Sequence, residues 1–262
     1  MFGRSLIVYK VDLNCDMGES FGIYKLGQDE ELMKYITSAN IACGFHAGDP
    51  LTMRKTIKLA LQHQVAIGAH PSLPDKQGFG RRRMDINAEE IYGLVLYQLG
   101  ALQAFAKAEG AQLTHVKPHG ALYHMANDNR AIAEAIAEAA FRVDEDILLY
   151  GQASSELIKA GARIGLRTIH EVFADRNYEQ DGSLTPRTHE QALIVHSKYS
   201  CERIIKMIKE HRVETRTNEI IDMRADTVCI HGDSPDALAH AIELRTALEE
   251  AGIEVVAPQF SY

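Results

Sequence analysis

Short runs rich in β-branched and aliphatic residues recur along the chain. Each is followed by Gly, Asp, His or Pro and then by a helical pattern, the rhythm of a parallel sheet wrapped by helices. The runs at 6–13, 38–42, 65–69, 113–117, 147–150, 168–173 and 227–230 predict strands, and an extended run at 254–257 reads as an eighth strand or as a closing segment. Residues 88–108, 128–141 and 236–251 are rich in Ala, Leu, Ile and Glu, with apolar positions three and four apart, and predict helices. Asn87, Asn127 and Ser234 stand as N-caps, Pro235 suits a first helical turn, and Gly110 and Gly252 mark two helix ends. No Gly/Ser-rich linker or low-complexity tract divides residues 1–262, which predict one domain with polar excursions at 176–189 and 212–226. Seven or eight strand–helix units in this length predict a single-domain α/β fold, a parallel β/α barrel, with a doubly wound open sheet as the alternative.

The polar residues that a core strand should avoid sit just after these runs. They are Asn14, Asp16 and Glu19; His46 and Asp49; His70 and Asp75; Lys117 and His119; Glu171, Asp175 and Arg176; and His231 and Asp233. In an α/β barrel the loops at the carboxyl ends of the strands converge on one mouth, so residues distant in sequence become neighbours there. Any one Asp or Asn at such a place is as readily a cap or a turn residue. Six strand ends together point to one site. Gly and Pro adjoin the ionisable residues in ACGFHAGDP, GAHPSLPD, GFGRR, KPHGALYH and HGDSP, where a permissive or rigid backbone can aim a side chain. His46, His70 and His119 are therefore candidates for chemistry, whereas His63, His211 and His240, in helical surroundings, read as packing residues.

Composition narrows the classes. With 46% hydrophobic residues the chain can bury a sizeable core, and 28 Lys plus Arg against 36 Asp plus Glu give a net charge of −8, with no basic excess to neutralise a nucleic-acid backbone. The apolar start is too short for a signal-peptide core and no stretch is long enough to span a membrane, so a cytoplasmic protein without nucleic-acid or membrane partners is expected. Cys15, Cys43, Cys201 and Cys229 form no CxxC pair and read as reduced thiols, with buried packing the expected role for Cys15 and Cys43. There is no GxxxxGK[ST] nucleotide loop, no GxGxxG after the first strand and no GxSxG elbow.

Six ordered blocks carry a resemblance: LNCDMGESFG at 13–22, ANIACGFHAGDP at 39–50, GAHPSLPDKQGFGRR at 68–82, KPHGALY at 117–123, EVFADRNY at 171–178 and CIHGDSP at 229–235. In these the chain resembles the LamB/YcsF family, the family of the 5-oxoprolinase A subunits. The resemblance implies a barrel of glycoside hydrolase/deacetylase type and ATP-dependent cleavage of 5-oxoproline to L-glutamate in a complex with subunits B and C.

A lactam is a resonance-stabilised amide, so its opening needs an activated carbonyl and a stabilised oxyanion. With no nucleotide loop in this chain, the ATP step is expected of the partner subunits. Asp16 is the candidate general base or ligand, held by Asn14 and Glu19, and His46, His70 and His119 are candidate acid/base or ligand groups. Lys117 and Arg176 are candidates for the substrate carboxylate or phosphoryl oxygens, Glu171 and Asp175 for further substrate contacts, and Arg81 and Arg82 for the rim. A divalent metal, if used, would fall to Asp16, His46 and His119; the metal-free version is preferred because ATP coupling can activate the amide without a Lewis acid. The alternatives are a metal-dependent deacetylase or amidohydrolase acting on another small amide, and a barrel that only binds a carboxylate.

Overall fold

The protein is represented by a computed structural model that describes residues 8–194, 197–230, 232 and 236–258. The first residues of the earliest predicted strand, the expected cap Ser234 with Pro235, and the candidates His231 and Asp233 lie outside the described residues.

The first strand, β1 (Tyr9–Met17), pairs in parallel with β2 (Ser38–Ala42). The sheet continues in chain order through β3 (Ala66–His70), β4 (His115–Val116), β5 (Leu148–Gln152) and β6 (Thr168–Phe173). An antiparallel hairpin, β7 (Arg212–Glu214) with β8 (Ile220–Asp222), stands apart and accounts for the second polar excursion. Strand β9 (Thr227–Ile230) pairs with both β6 and β1 and closes the barrel at seven parallel strands. The expected eighth strand, β10 (Ile253–Val255), lies beside the first residues of β1, Tyr9 facing Ile253, and is not needed for closure.

The helices form where caps and apolar spacing agree. Helix α1 (Asp29–Leu32) is a single turn. Helix α2 (Pro50–Gln62) starts at Asp49, whose carboxylate accepts from the Leu51 and Thr52 amides. Helix α3 (Ala88–Ala108) has the predicted bounds, and Asn87 and Glu90 complete a reciprocal capping box. The predicted helix at 128–141 divides differently: α4 (Gly120–Asp128) runs into an extended Asn129, which caps α5 (Arg130–Val143). Asn127, expected as that cap, lies inside α4 and donates to Gln152 instead. Helices α6 (Glu156–Ile164) and α7 (Ser197–Glu210) precede α8 (Ala237–Glu250), which matches the last predicted helix.

Strand β1 shows how the barrel is filled. Val11, Leu13, Cys15 and Met17 belong to the apolar core shared with the helices, while the alternating residues Asp12, Asn14 and Asp16 bond across the barrel to Ser38, Asn40, Thr227 and Lys117. The usual pattern is inverted, with an apolar outer face under helices and a polar interior. A buried polar interior holds only if its groups are paired, and this one leads upward to the strand ends.

Candidate functional site

At the bottom of the barrel, Asp12 Oδ1 accepts from Thr37 Oγ1 (2.6 Å) and Ser38 Oγ (2.7 Å), and Oδ2 from Thr227 Oγ1 (2.6 Å) and Tyr150 OH (3.1 Å). Burial raises its pKa, and these four hydroxyls only partly offset that. One layer up, Asn14 donates to Thr227 Oγ1 (2.8 Å), and Asn40 donates to Asn14 Oδ1 (2.8 Å) and Asp16 Oδ1 (2.9 Å). His115 Nε2 meets Asn40 Oδ1 at 2.8 Å, and its ring crosses Gly68 so closely that a Cβ there would lie 2.0 Å from Nε2.

Lys117 forms the next layer. Its ammonium lies 2.8 Å from Glu171 Oε1, 2.9 Å from Asn14 Oδ1, 3.1 Å from Asp16 Oδ1 and 3.1 Å from Cys229 Sγ. Glu171 is fixed in turn by the Tyr123 hydroxyl at 2.6 Å. Burial alone would lower the Lys117 pKa, but the negative charge of Asp16, reinforced by Glu171, holds it well above its ordinary value. Burial likewise opposes ionisation of Asp16, yet His70 and Lys117 carry its pKa well below the usual carboxylate range. A buried Lys–Asp–Glu constellation results, with the ammonium between the two carboxyl groups.

The mouth is lined by imidazoles. His70 Nδ1 donates to the Lys117 carbonyl (2.7 Å), and His70 Nε2 lies 3.2 Å from Asp16 Oδ2 and 2.9 Å from His119 Nδ1. His119 Nε2 donates to the Phe79 carbonyl (2.9 Å). His46 stacks on His119 with ring centroids 3.8 Å apart and reaches Glu19 Oε1 with Nε2 at 3.1 Å. Burial, followed by the neighbouring His119 and His70, depresses the His46 pKa; burial and His70 bring that of His119 down to about 3. Gly80 makes this crowding feasible. Its φ is +64°, and a Cβ would come within 2.3 Å of Ser72 Oγ and 2.8 Å of His46 Cβ.

The structure thus brings together Asn14, Asp16, Glu19, His46, His70, Lys117, His119 and Glu171 from separate strand ends. Arg81 is exposed above them, its guanidinium 5.2 Å from the Phe79 ring centroid. Arg82 is paired with Asp75. Arg176 donates to the Thr185 carbonyl at 2.7 Å, and the Asp175 carbonyl accepts from Ile194, so both belong to the loop after β6. Lys117, expected to face a substrate anion, sits beneath Asp16 and is surrounded by acceptors from this chain.

Among the described residues, the groups able to hold a metal are Glu19, His46, His70 and His119, one ligand atom from each lying within 4.8 Å of the others. Asp16, expected among the metal ligands, is instead held by Lys117, Asn40 and His70. Sequence reasoning missed Asp12, Asn40, His115, Tyr123 and Cys229. The signal for the first was the polar alternation at 12, 14 and 16 in an otherwise apolar strand. Cys15 is buried in the apolar core, whereas Cys229 touches Lys117.

The sequence matches the family model described as LamB/YcsF family over residues 11–261. The A subunit of 5-oxoprolinase from Brevibacillus brevis is 58% identical over 247 residues, covering 94% of this chain and 97% of that protein. Its counterpart of the same name from Bacillus subtilis is 55% identical over 250 residues, covering 95% and 97%. The crystal structure of a lactam utilization protein from Thermus thermophilus matches with a TM-score of 0.91 at 44% identity, covering 95% of this chain and all of that one.

Proposed function

The chain belongs to the LamB/YcsF family, and from that premise we propose that it is the A subunit of an ATP-dependent 5-oxoprolinase, which opens the lactam of 5-oxoproline to give L-glutamate. The observation that carries the reading is the buried Asp16–Lys117–Glu171 constellation at the mouth of a barrel so similar to proteins of that name.

Ring opening adds the elements of water across one C–N bond: hydroxyl goes to the carbonyl carbon and a proton to the departing nitrogen. A group must take the proton from water, and Asp16 is suited to it. Its carboxylate is kept ionised by Lys117 and His70, and its side chain is more exposed than that of Lys117 or His70, at 17% against 4% and 1%. A carboxylate this stabilised is a weak base, so the carbonyl must already be electrophilic. Phosphorylation of the carbonyl oxygen by ATP, with release of ADP, supplies that activation; the first water then opens the ring to an acyl phosphate, and a second water hydrolyses it to L-glutamate and phosphate. We assign the ATP step to partner subunits B and C, because no nucleotide loop is present in this sequence.

Lys117 acts beneath the reacting atoms by keeping Asp16 charged and fixed. We assign the substrate carboxylate to Arg81, an assignment supported by its exposed position and its electrostatic influence on His46 and His119.

The test is reconstitution. The purified chain, subunits B and C, ATP and 5-oxoproline are combined, and glutamate is measured with each component omitted in turn. Glutamate is expected only from the full set, and only with Asp16 present. ATP hydrolysis by the isolated chain in response to 5-oxoproline would overturn the division of labour, and full activity of Asp16→Asn would move the chemistry to another strand end.

A further inference from the structure

The hydrogen bonds of the two central histidines fix which of their nitrogens face each other. A backbone carbonyl can only accept, so His70 Nδ1, 2.7 Å from the Lys117 carbonyl, carries a hydrogen, and so does His119 Nε2, 2.9 Å from the Phe79 carbonyl. In the neutral rings the remaining nitrogens, His70 Nε2 and His119 Nδ1, are then bare. These two bare nitrogens face each other at 2.9 Å. Two lone pairs at that separation repel unless a positive species lies between them.

We propose that the species is a divalent transition-metal ion of the Zn2+ class, held by His70 Nε2, His119 Nδ1 and Glu19 Oε1, with His46 as the fourth group within reach. A proton on His70 Nε2 would reconcile the two facing nitrogens and also meet Asp16 Oδ2 at 3.2 Å. It leaves unexplained why Glu19 and a third imidazole converge on the same point, with all four ligand atoms within 4.8 Å of one another. Glu19 Oε1 is 3.8 Å from His119 Nδ1 and 3.1 Å from His46 Nε2.

The surroundings are those of a ligand set. A metal-bound imidazole characteristically donates its other N–H to a carbonyl or carboxylate, which fixes tautomer and ring orientation, and both His70 and His119 do so to backbone carbonyls. Their rings are nearly perpendicular, 80° apart, so the two nitrogens approach one point from different directions. The 2.9 Å separation can be spanned by an ion with bonds of about 2.0–2.1 Å. Imidazole nitrogens with one carboxylate oxygen favour zinc over the hard cations that need all-oxygen shells. His46 Nδ1 is buried with no hydrogen-bond partner, and its ring lies flat on His119. We therefore assign the first three ligands to His70, His119 and Glu19. A bound ion would supply Lewis-acid polarisation of the lactam carbonyl oxygen.

This inference goes beyond the proposed lactam reaction, and its test needs no substrate, so either can fail without the other. Untagged protein, purified without chelator or added metal, is analysed for bound metal, then stripped and titrated with Zn2+. About one equivalent is expected, together with a rise in melting midpoint on readdition. His70→Ala and His119→Ala, checked for folding by circular dichroism, should each hold less than about a tenth of an equivalent, and Glu19→Gln should bind about tenfold or more weakly. Asp16→Asn should retain its metal. Wild-type protein that carries none and takes up none overturns the proposal. So does a His70→Ala/His119→Ala double variant with unchanged content, or loss of metal in Asp16→Asn, which would transfer the site to that carboxylate. If a histidine variant fails to fold, the Zn2+ titration and melting shift of stripped wild-type protein still decide the matter.

Discussion

Lys117 is held between Asp16 and Glu171, so its removal acts on stability as well as on chemistry. From the sequence, Lys117→Met keeps the bulk and should leave the fold little changed. In the structure it strands two carboxylates in a buried space. Removing one partner of a buried pair typically costs about 3–5 kcal/mol, and urea unfolding of Lys117→Met should show a loss on that scale. Adding Glu171→Gln should restore about half of it, since one of the stranded charges is gone. Wild-type stability in the single variant would mean that the ammonium does not neutralise this pair. Asp16→Asn differs: it keeps size and hydrogen bonding while removing charge. Glutamate formation in the reconstituted system should fall at least about a hundredfold, with a smaller loss of stability than in Lys117→Met because Lys117 keeps Glu171 as a counter-charge.

At the scale of elements, the site depends on how closely the strands and loops approach. Residue 68 on β3 has no room for a Cβ because His115, at the start of β4, crosses over it. Gly68→Ala should therefore destabilise by about 2 kcal/mol or more, and removing the ring in Gly68→Ala/His115→Ala should recover part of that. If the double variant is no better than the single one, the glycine answers to some other constraint. Helix α3 gives the contrasting case of a local device. Its capping box joins the exposed residues Asn87 and Glu90, outside the buried polar column, so Asn87→Ala should cost about 1 kcal/mol by thermal melting and leave turnover unaltered.

For the molecule as a whole, the polar barrel interior sets a dependence on pH. Burial, followed by the nearby Lys117, lowers the His115 pKa from its ordinary 6.5 to about 3. Between those values the unfolded chain binds a proton that the folded chain refuses. The stability due to this group is full above pH 6.5 and falls as pH drops toward 3, by about 1.4 kcal/mol per pH unit. His119, also brought to about 3, acts in the same direction, whereas Asp12, whose pKa is raised, contributes stability that grows as pH falls. The contribution of His115 is thus best isolated by difference. Urea unfolding at pH 7 and pH 5 should show a larger drop for wild-type protein than for His115→Gln, and equal drops would mean that the imidazole is charged inside the barrel. Among the described residues no helix is long and apolar enough to cross a membrane, and all four cysteines are free and buried.

What the sequence determined by itself was whatever local chemistry specifies. Apolar spacing and caps gave α3 its bounds, runs with β-branched residues gave β6 and β9, and turn residues beside ionisable ones placed His46, His70, Lys117 and His119 at strand ends. It also revealed the family, because six ordered blocks survive as text. It did not separate α4 from α5, since the break is one extended residue, Asn129, within a continuous helix-forming composition. The count of closing strands was likewise left to the structure, because β10 has a strand's pattern but pairs outside the ring. Partnership was the larger omission. That Lys117 lies under Asp16 instead of facing a ligand, that Arg176 turns to Thr185, and that His70 Nε2 meets His119 Nδ1 at 2.9 Å all depend on contacts that close only when the chain has folded. Sequence names the groups that can carry charge or a lone pair; only the closed barrel decides which of them must share a proton, an ion or a neighbour, because those energies depend on distance and burial.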